Sequence, residues 1–302
     1  MTIDGGARRV ALAACAKVNL ALDLLGPRPD GYTEIATVFQ SVDLADDVEV
    51  ELDPAGSGIE LRVEPTAPCA DDENLAVRAA KLYVERFGGL GRISIRLVKR
   101  IPAGAGLGGG SSDAAATLRA LDELAGGRAA PGELARLGRG LGADVPFFLV
   151  GGTAIGIGRG DEIEPLEDLR SWPIVLARTG RPLATAEVYR LARIGLTVRR
   201  DAPNISRFRR HLREAPSAPP PLSNGLEPAA FRLEPLIPRL IASLAECGGR
   251  AGMTGSGSTV FALFEREEDA REAAARTAAA APQGSFVHCA RTIGRAAATR
   301  RG

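Results

Sequence analysis

The sequence predicts a two-domain α+β protein, on three observations. Its 302 residues suffice for about two domains of ordinary size. From Val10 to Leu24 every even position is apolar, while Lys17, Asn19 and Asp23 fall on odd ones, the period-two pattern of a strand with its polar groups on one face. Beyond it, strand-like and helix-like stretches are mixed in both halves of the chain.

The elements follow in order. "PRPDGY" at 27–32 is a turn by its Pro, Asp and Gly content, and "VEVEL" at 48–52 and "IELRV" at 59–63 are strands. "DENLAVRAAKLYVERFGG" reads as a helix with acids in its first turn and a stop at Gly88. "RISIRLVK" at 92–99 is a strand. A glycine loop comes next, after which Ser111 or Ser112 caps a helix carrying Leu118, Leu121 and Leu124 to a stop at Gly126 and Gly127. A helix at 131–141, the segment "GADVPFFLVGGTAIGIGRG" and an acidic stretch around 161–173 complete the first unit. The expected domains are 1–168 and 169–302. The second holds the strand "PIVLA", a helix at 184–194, an Arg- and Pro-rich connection to about 221 read as mobile, a helix, a Gly-Ser turn, "TVFALF", another helix and "SFVHCA". The Ala- and Arg-rich tail, 291–302, reads as frayed.

Composition narrows the function. With 38 basic against 37 acidic side chains the net charge is +1, which lacks the electrostatic footprint of a nucleic-acid binder and favours a small-molecule partner. Cys15, Cys69, Cys247 and Cys289 are scattered without metal-ligand or redox spacing. Lys17, Asn19 and Asp23 interrupt the N-terminal apolar run too soon for a signal segment or a membrane span, so a cytoplasmic protein is expected.

The loop "GAGLGGGSS" places five glycines between 104 and 110, after a strand and before a helix. Such a loop lets backbone N–H groups converge on an anion, helped by the positive end of the helix dipole, and phosphate is the natural guest. It matches G-x-G-x-x-G, but the acidic strand end of a dinucleotide fold is missing, and no Lys follows Gly110 as a Walker loop requires. Lys17 and Asn19, two apart on one strand, share a face that either grips a hydroxyl or phosphate or is simply solvated. Asp144, beside the apolar run "VPFFLVGG", is either a turn or cap residue or a partly desolvated carboxylate able to accept a proton. "MTGSGSTVFALF" at 253–264 is by itself a hairpin turn.

Taken in order, these motifs resemble the GHMP kinase superfamily. The carrying blocks are "AKVNLALDLLGPRPDGY", "TVFQSVDL", "DENLAVRAA", "IPAGAGLGGGSSDAA", "LGADVPFFLVGGTAIGIGRGDE", "TAEVY" and "MTGSGSTVFALF". They look most like the branch that acts on a cytidine-diphosphate sugar alcohol of the non-mevalonate isoprenoid pathway, and they leave 195–222 uncovered. The resemblance implies an N-terminal domain like that of a small-subunit ribosomal protein, a C-terminal ferredoxin-like domain, and ATP with Mg²⁺ in the cleft between them. It puts Gly104, Ala105, Gly106, Leu107, Gly108, Gly109, Gly110, Ser111 and Ser112 around the ATP phosphates, with Asn74 and Lys99 near the nucleoside. The implied catalytic pair is Lys17 and Asp144, with Asn19 orienting the substrate. Tyr32 and Tyr189 would sandwich its cytosine, with Thr185 nearby. Two positions depart from the pattern: Thr33 stands where the family has a histidine that contacts the base, and Gly225 where it has an aspartate. Another GHMP kinase, acting on homoserine or a mevalonate-type alcohol, is the nearest alternative. A dinucleotide oxidoreductase and a ribosome-like RNA-binding module are the rivals from other classes.

Overall fold

The computed structural model describes residues 7–65, 73–178, 182–193, 198–199 and 201–299; Cys69 lies outside them. The N-terminal strand pattern becomes β1 (Arg8–Pro27), antiparallel to an equally long β2 (Thr33–Asp53), into which "VEVEL" is absorbed. β3 (Ile59–Glu64) and β4 (Arg92–Val98) extend the sheet on one side of β2. α1 (Leu75–Phe87) lies between them in sequence; Asn74 caps it by accepting from the Ala76 N–H at 2.9 Å, and it ends at Gly88. The expected acids lie before its first turn, not in it.

α2 (Gly109–Leu124) begins inside the glycine loop, and the cap position belongs to Gly108, not to either serine. Its buried face is built largely from alanines, including Ala114, Ala115 and Ala120, with Leu118 and Leu121. Small side chains let it lie close on the sheet. α3 (Glu133–Leu141) and the short α4 (Val145–Val150) follow, and Phe147 of α4 stacks on Phe39 of β2 at 4.7 Å. β5 (Thr153–Gly158) pairs with the first part of β2, and β6 (Glu162–Pro165) with β5.

A second, four-stranded sheet takes up the rest. β7 (Pro173–Arg178) lies at its centre, and α5 (Thr185–Ala192) follows it. Next comes α6 (Pro203–Glu214), within the stretch expected to be a mobile connection. Ile205 and Phe208 are buried, and Asp23 of β1 accepts from the backbone N–H groups of Asn204 and Ile205, capping α6 from another element. Pro203 at its start and the 205, 208, 212 spacing were the available signals. β8 (Ser223–Asn224) adds in parallel to β1 of the first sheet. α7 (Glu227–Leu233) and α8 (Leu236–Glu246) precede the hairpin of β9 (Arg250–Met253) and β10 (Thr259–Leu263). α9 (Glu267–Ala280) and β11 (Phe286–Arg291), which pairs with β7, complete the sheet.

The tail is tied down, contrary to the frayed expectation. The Ile293 N–H donates to the Ser41 carbonyl at 3.0 Å, and α10 (Arg295–Ala298) starts with its Arg295 N–H on Asp168 at 2.7 Å. Residues 300–302 of that tail lie outside the described residues.

Three buried clusters hold the chain together: one between the first sheet and α1–α4, one on the second sheet, and a third shared by both. The shared cluster joins Val18 and Ile101 to Trp172, Phe208 and Phe261. It explains β1. From Ala14 to Asp23 both faces are buried: Ala16, Val18 and Leu20 pack on the second half of the chain, Lys17 and Asn19 lie under Phe39, the glycine loop and the turn at Thr254, and the register shift between Asn19 and Ala21 turns Asp23 toward α6.

Candidate active site

A cleft of about 1330 Å³ opens between the first sheet with its glycine loop and α5 with the second glycine turn. Lys17 and Asn19 lie at its floor, Asp144 and the glycine loop form one wall, and α5 with the second glycine turn forms another. The solvated reading of the β1 polar face is therefore excluded: Lys17 is 3 % exposed and Asn19 4 %.

Asn19 is held on every side. Its Nδ2 donates to Thr37 Oγ1 at 2.8 Å, its backbone N–H donates to Thr254 Oγ1 at 2.9 Å, and its Oδ1 accepts from Lys17 Nζ at 2.7 Å. A buried ammonium needs such partners. Lys17 Nζ then has Asp144 Oδ2 at 3.4 Å and lies 5.5 Å from the centre of the Phe39 ring. Asp144 stands at the start of α4, yet its side chain makes no capping hydrogen bond, and it remains 31 % exposed toward the cleft. Asp144 thus holds the N-cap position of α4 without capping it through its side chain, and its carboxylate faces the cleft.

The glycine loop is bent by backbone geometry. Gly104, Gly106 and Gly108 have φ of +63°, +73° and +77°, a region costly for any residue with a Cβ. Gly108 is further confined, since a Cβ there would stand 2.6 Å from Phe148 Cζ and 3.4 Å from Lys17 Cε. Gly110 is neither left-handed nor crowded, its nearest contact being Leu75 at 3.6 Å, and it faces the cleft. The absent side chain leaves the helix N-terminus open to an approaching anion. Gly108→Ala is expected to combine left-handed strain with the clash on Phe148, destabilising the fold by about 2–5 kcal/mol. Chemical denaturation checks this; an unchanged midpoint would mean that the loop relaxes freely.

Not every loop residue reaches the cleft. Ala105, Leu107 and Ser112 are buried, Leu107 and Ser112 do not line the cavity, and the Ser112 hydroxyl donates to the Cys15 carbonyl at 2.7 Å. The side-chain hydroxyl left for a phosphate is that of Ser111, which lines the cleft. Asn74 and Lys99 both line it, but the Asn74 Oδ1 is engaged in its cap. The Lys99 ammonium is clamped between the carboxylates of Asp46 and Asp113. Burial pulls the Lys99 pKa down, and the two carboxylates overcome it to a net rise. Burial likewise pushes the Asp113 carboxyl up to about 7 against the pull of Lys99. The cluster pins the first turn of α2 to β2, so its structural work is to fix the loop.

The second glycine turn does more than connect two strands. A Cβ at Gly106 would stand 3.0 Å from the Thr254 carbonyl, so the two glycine-rich loops touch, and Gly255 and Ser256 line the cleft. Asn224 Nδ2 donates to the carbonyls of Met253 at 2.9 Å and Gly255 at 2.8 Å, holding this turn beside Lys17.

At the far end of the cleft Tyr32 is 55 % exposed, with the Arg159 guanidinium 5.2 Å from its ring centre. Tyr189 lines the same end. Burial pushes its phenol well above the ordinary range, Asp144 adds to the rise and Arg193 opposes it, so the hydroxyl stays protonated. Thr185 bonds Ser256, oxygen to oxygen, at 2.9 Å. Residues that sequence reasoning missed are Thr37 and Thr254, which orient Asn19, and Arg193, whose Nε donates to Thr33 Oγ1 at 2.7 Å.

A buried lysine beside a cleft-facing carboxylate, next to a helix N-terminus left open by glycines, is an arrangement suited to phosphoryl transfer. The model of the GHMP kinases N terminal domain matches residues 74–152, and that of the GHMP kinases C terminal domain matches 201–283. The chain belongs to the GHMP kinase family and is a small-molecule kinase; ATP is the phosphate donor of that family.

Its relatives carry a narrower name. The 4-diphosphocytidyl-2-C-methyl-D-erythritol kinase of Solibacter usitatus is 42 % identical over 85 % of this chain and 82 % of its own. That of Citrifermentans bemidjiense is 41 % identical over 95 % of this chain and 100 % of its own. A crystal structure of a 4-(cytidine 5'-diphospho)-2C-methyl-D-erythritol kinase superposes with a TM-score of 0.79 at 39 % identity, covering 94 % of this chain and 100 % of that one.

Proposed function

We propose that this kinase transfers the γ-phosphoryl group of ATP to the C2 hydroxyl of 4-diphosphocytidyl-2-C-methyl-D-erythritol, a step of non-mevalonate isoprenoid synthesis. The observation that carries the reading is the Lys17–Asp144 contact of 3.4 Å at the floor of the cleft, in a chain about 40 % identical to kinases of that name. The hydroxyl oxygen forms its new bond to the γ-phosphorus as the bond to the ADP oxygen breaks. Asp144 accepts the hydroxyl proton, and Lys17 offsets the charge that develops on the oxygen. Asn19, fixed by Thr37 and Thr254, keeps the ammonium aimed.

The open backbone at Gly110 and the Ser111 hydroxyl fit the nucleotide's phosphates. Among the described residues no group of three or more His, Cys, Asp or Glu side chains forms a metal cage. Mg²⁺ would be carried mainly on those phosphates, as is usual for this ion, and would supply neutralisation of phosphate charge. The cytosine would lie at the Tyr32 and Tyr189 end. Among the described residues no helix is long and apolar enough to cross a membrane.

A substrate panel tests the assignment. ADP release is expected with the cytidine-diphosphate methylerythritol and not with homoserine or mevalonate, and release with either of those alone would overturn it.

A further inference from the structure

Beside the catalytic pair the cleft holds a polar corner to which the glycine loop does not contribute. Thr185 and Tyr189 of α5 and Arg193, at its C-cap, recur every four residues, so their side chains follow one face of the helix to its end. Thr185 anchors one end of this row on Ser256, Tyr189 stands in the middle, and Arg193 reaches Thr33 at the other end. All four of Thr33, Tyr32, Tyr189 and Arg193 line the cleft.

Arg193 spends one N–H, its Nε, on Thr33 Oγ1 at 2.7 Å. Among the described residues it has no carboxylate within ion-pair distance, unlike Arg28, Arg100 and Arg159, each of which is paired with an acid. A guanidinium is a planar fork with donors only, and among the described residues nothing takes the two Nη groups. Thr33 accepts from Arg193, so its own hydroxyl hydrogen is left to donate. The corner therefore offers several donors in the part of the cleft lined by Tyr32 and Tyr189.

We infer that Arg193, braced by Thr33, is the base-reading residue of this kinase, and that it selects cytosine over uracil through the paired acceptors of the cytosine edge. The inference rests on the kinase reading above. Cytosine presents O2 and N3 as adjacent acceptors, which a guanidinium fork meets with two parallel hydrogen bonds. Uracil carries a hydrogen on N3, so one arm of the fork would face a donor. Arginine cannot adapt by losing a proton. The tyrosines supply stacking that any base would accept, and the discrimination falls to the fork.

The test uses the full chain, with CDP and UDP as calorimetric probes and steady-state kinetics on the methylerythritol substrate. Wild type is expected to bind CDP about 5- to 150-fold more tightly than UDP, the worth of one bidentate pair. Arg193→Lys keeps the charge and loses the fork. It is expected to abolish most of that preference and to raise KM while leaving kcat within a few-fold, and Thr33→Val to give a smaller loss in the same direction. If Arg193→Lys keeps the CDP preference, or weakens CDP and UDP equally, the inference is overturned. The same follows if wild type phosphorylates the cytidine substrate yet binds the two nucleotides alike, in which case the kinase reading stands. No ADP release on that substrate would remove the reading itself. Unchanged melting temperatures of the variants confirm that binding, not folding, is being read.

Discussion

Replacing Asp144 by Asn is expected to lower kcat by about 10²- to 10⁴-fold with little change in ATP affinity. The amide keeps the shape of the side chain and its place at the start of α4. It no longer takes a proton, and it no longer faces Lys17 Nζ, 3.4 Å away, as an anion. Because the Asp144 side chain makes no capping bond, the helix loses nothing and the melting temperature should hold. Single-turnover measurement of phosphoryl transfer, paired with ATP binding by calorimetry, separates the outcomes. An unchanged rate would remove Asp144 from the chemistry; a lost rate with lost ATP binding would make it a nucleotide contact instead.

Lys17→Met is expected to lower kcat by about 10²- to 10³-fold, the usual worth of one preorganised donor aimed at developing charge. Methionine approximates the length of the stem and removes the ammonium. Breaking a buried ion pair is often severe because the surviving charge is stranded. Here the surviving carboxylate is 31 % exposed and stays hydrated, and Asn19 Oδ1 retains the Thr254 hydroxyl at 3.2 Å. The fold should therefore survive the change. Circular dichroism and thermal melting check that, and a variant that unfolds would show that Lys17 is chiefly structural. Lys17→Arg is a useful companion: the charge is kept, but the single Nζ that meets both Asn19 Oδ1 and Asp144 Oδ2 is replaced by a planar fork of different reach, so rescue should be poor.

The order of strands, the glycine loop and its helix were legible because each depends on neighbours in sequence. The period-two pattern of β1, the stop at Gly88 and the glycine run at 104–110 are local devices whose meaning does not wait for the rest of the chain. Lys17, Asp144, Tyr32 and Tyr189 were legible too, through motifs in a fixed order, and the structure brings all four to one cleft.

What only the tertiary structure decided concerns burial and partnership. An alternating strand shows one polar face, but whether that face meets water depends on what later packs against it. Here Phe39, the glycine loop at Gly108 and the distant turn at Thr254 and Gly255 do so together, turning Lys17 and Asn19 from surface groups into a buried, oriented pair. The same holds for α6, capped by Asp23 some 180 residues earlier in the chain, and for the tail, held by Asp168 and Ser41. Ser112 and Lys99 carry the right chemistry for a ligand, yet the fold commits one to Cys15 and the other to Asp46 and Asp113. Arg193 was invisible as one arginine among many until α5 set it against Thr33. Residue type and spacing determine which elements form and which groups are chemically able. Which of those groups is left free to act is settled by hydrogen-bond partners distant in sequence, because a buried polar atom must find a partner and, once paired with protein, is no longer available to a ligand.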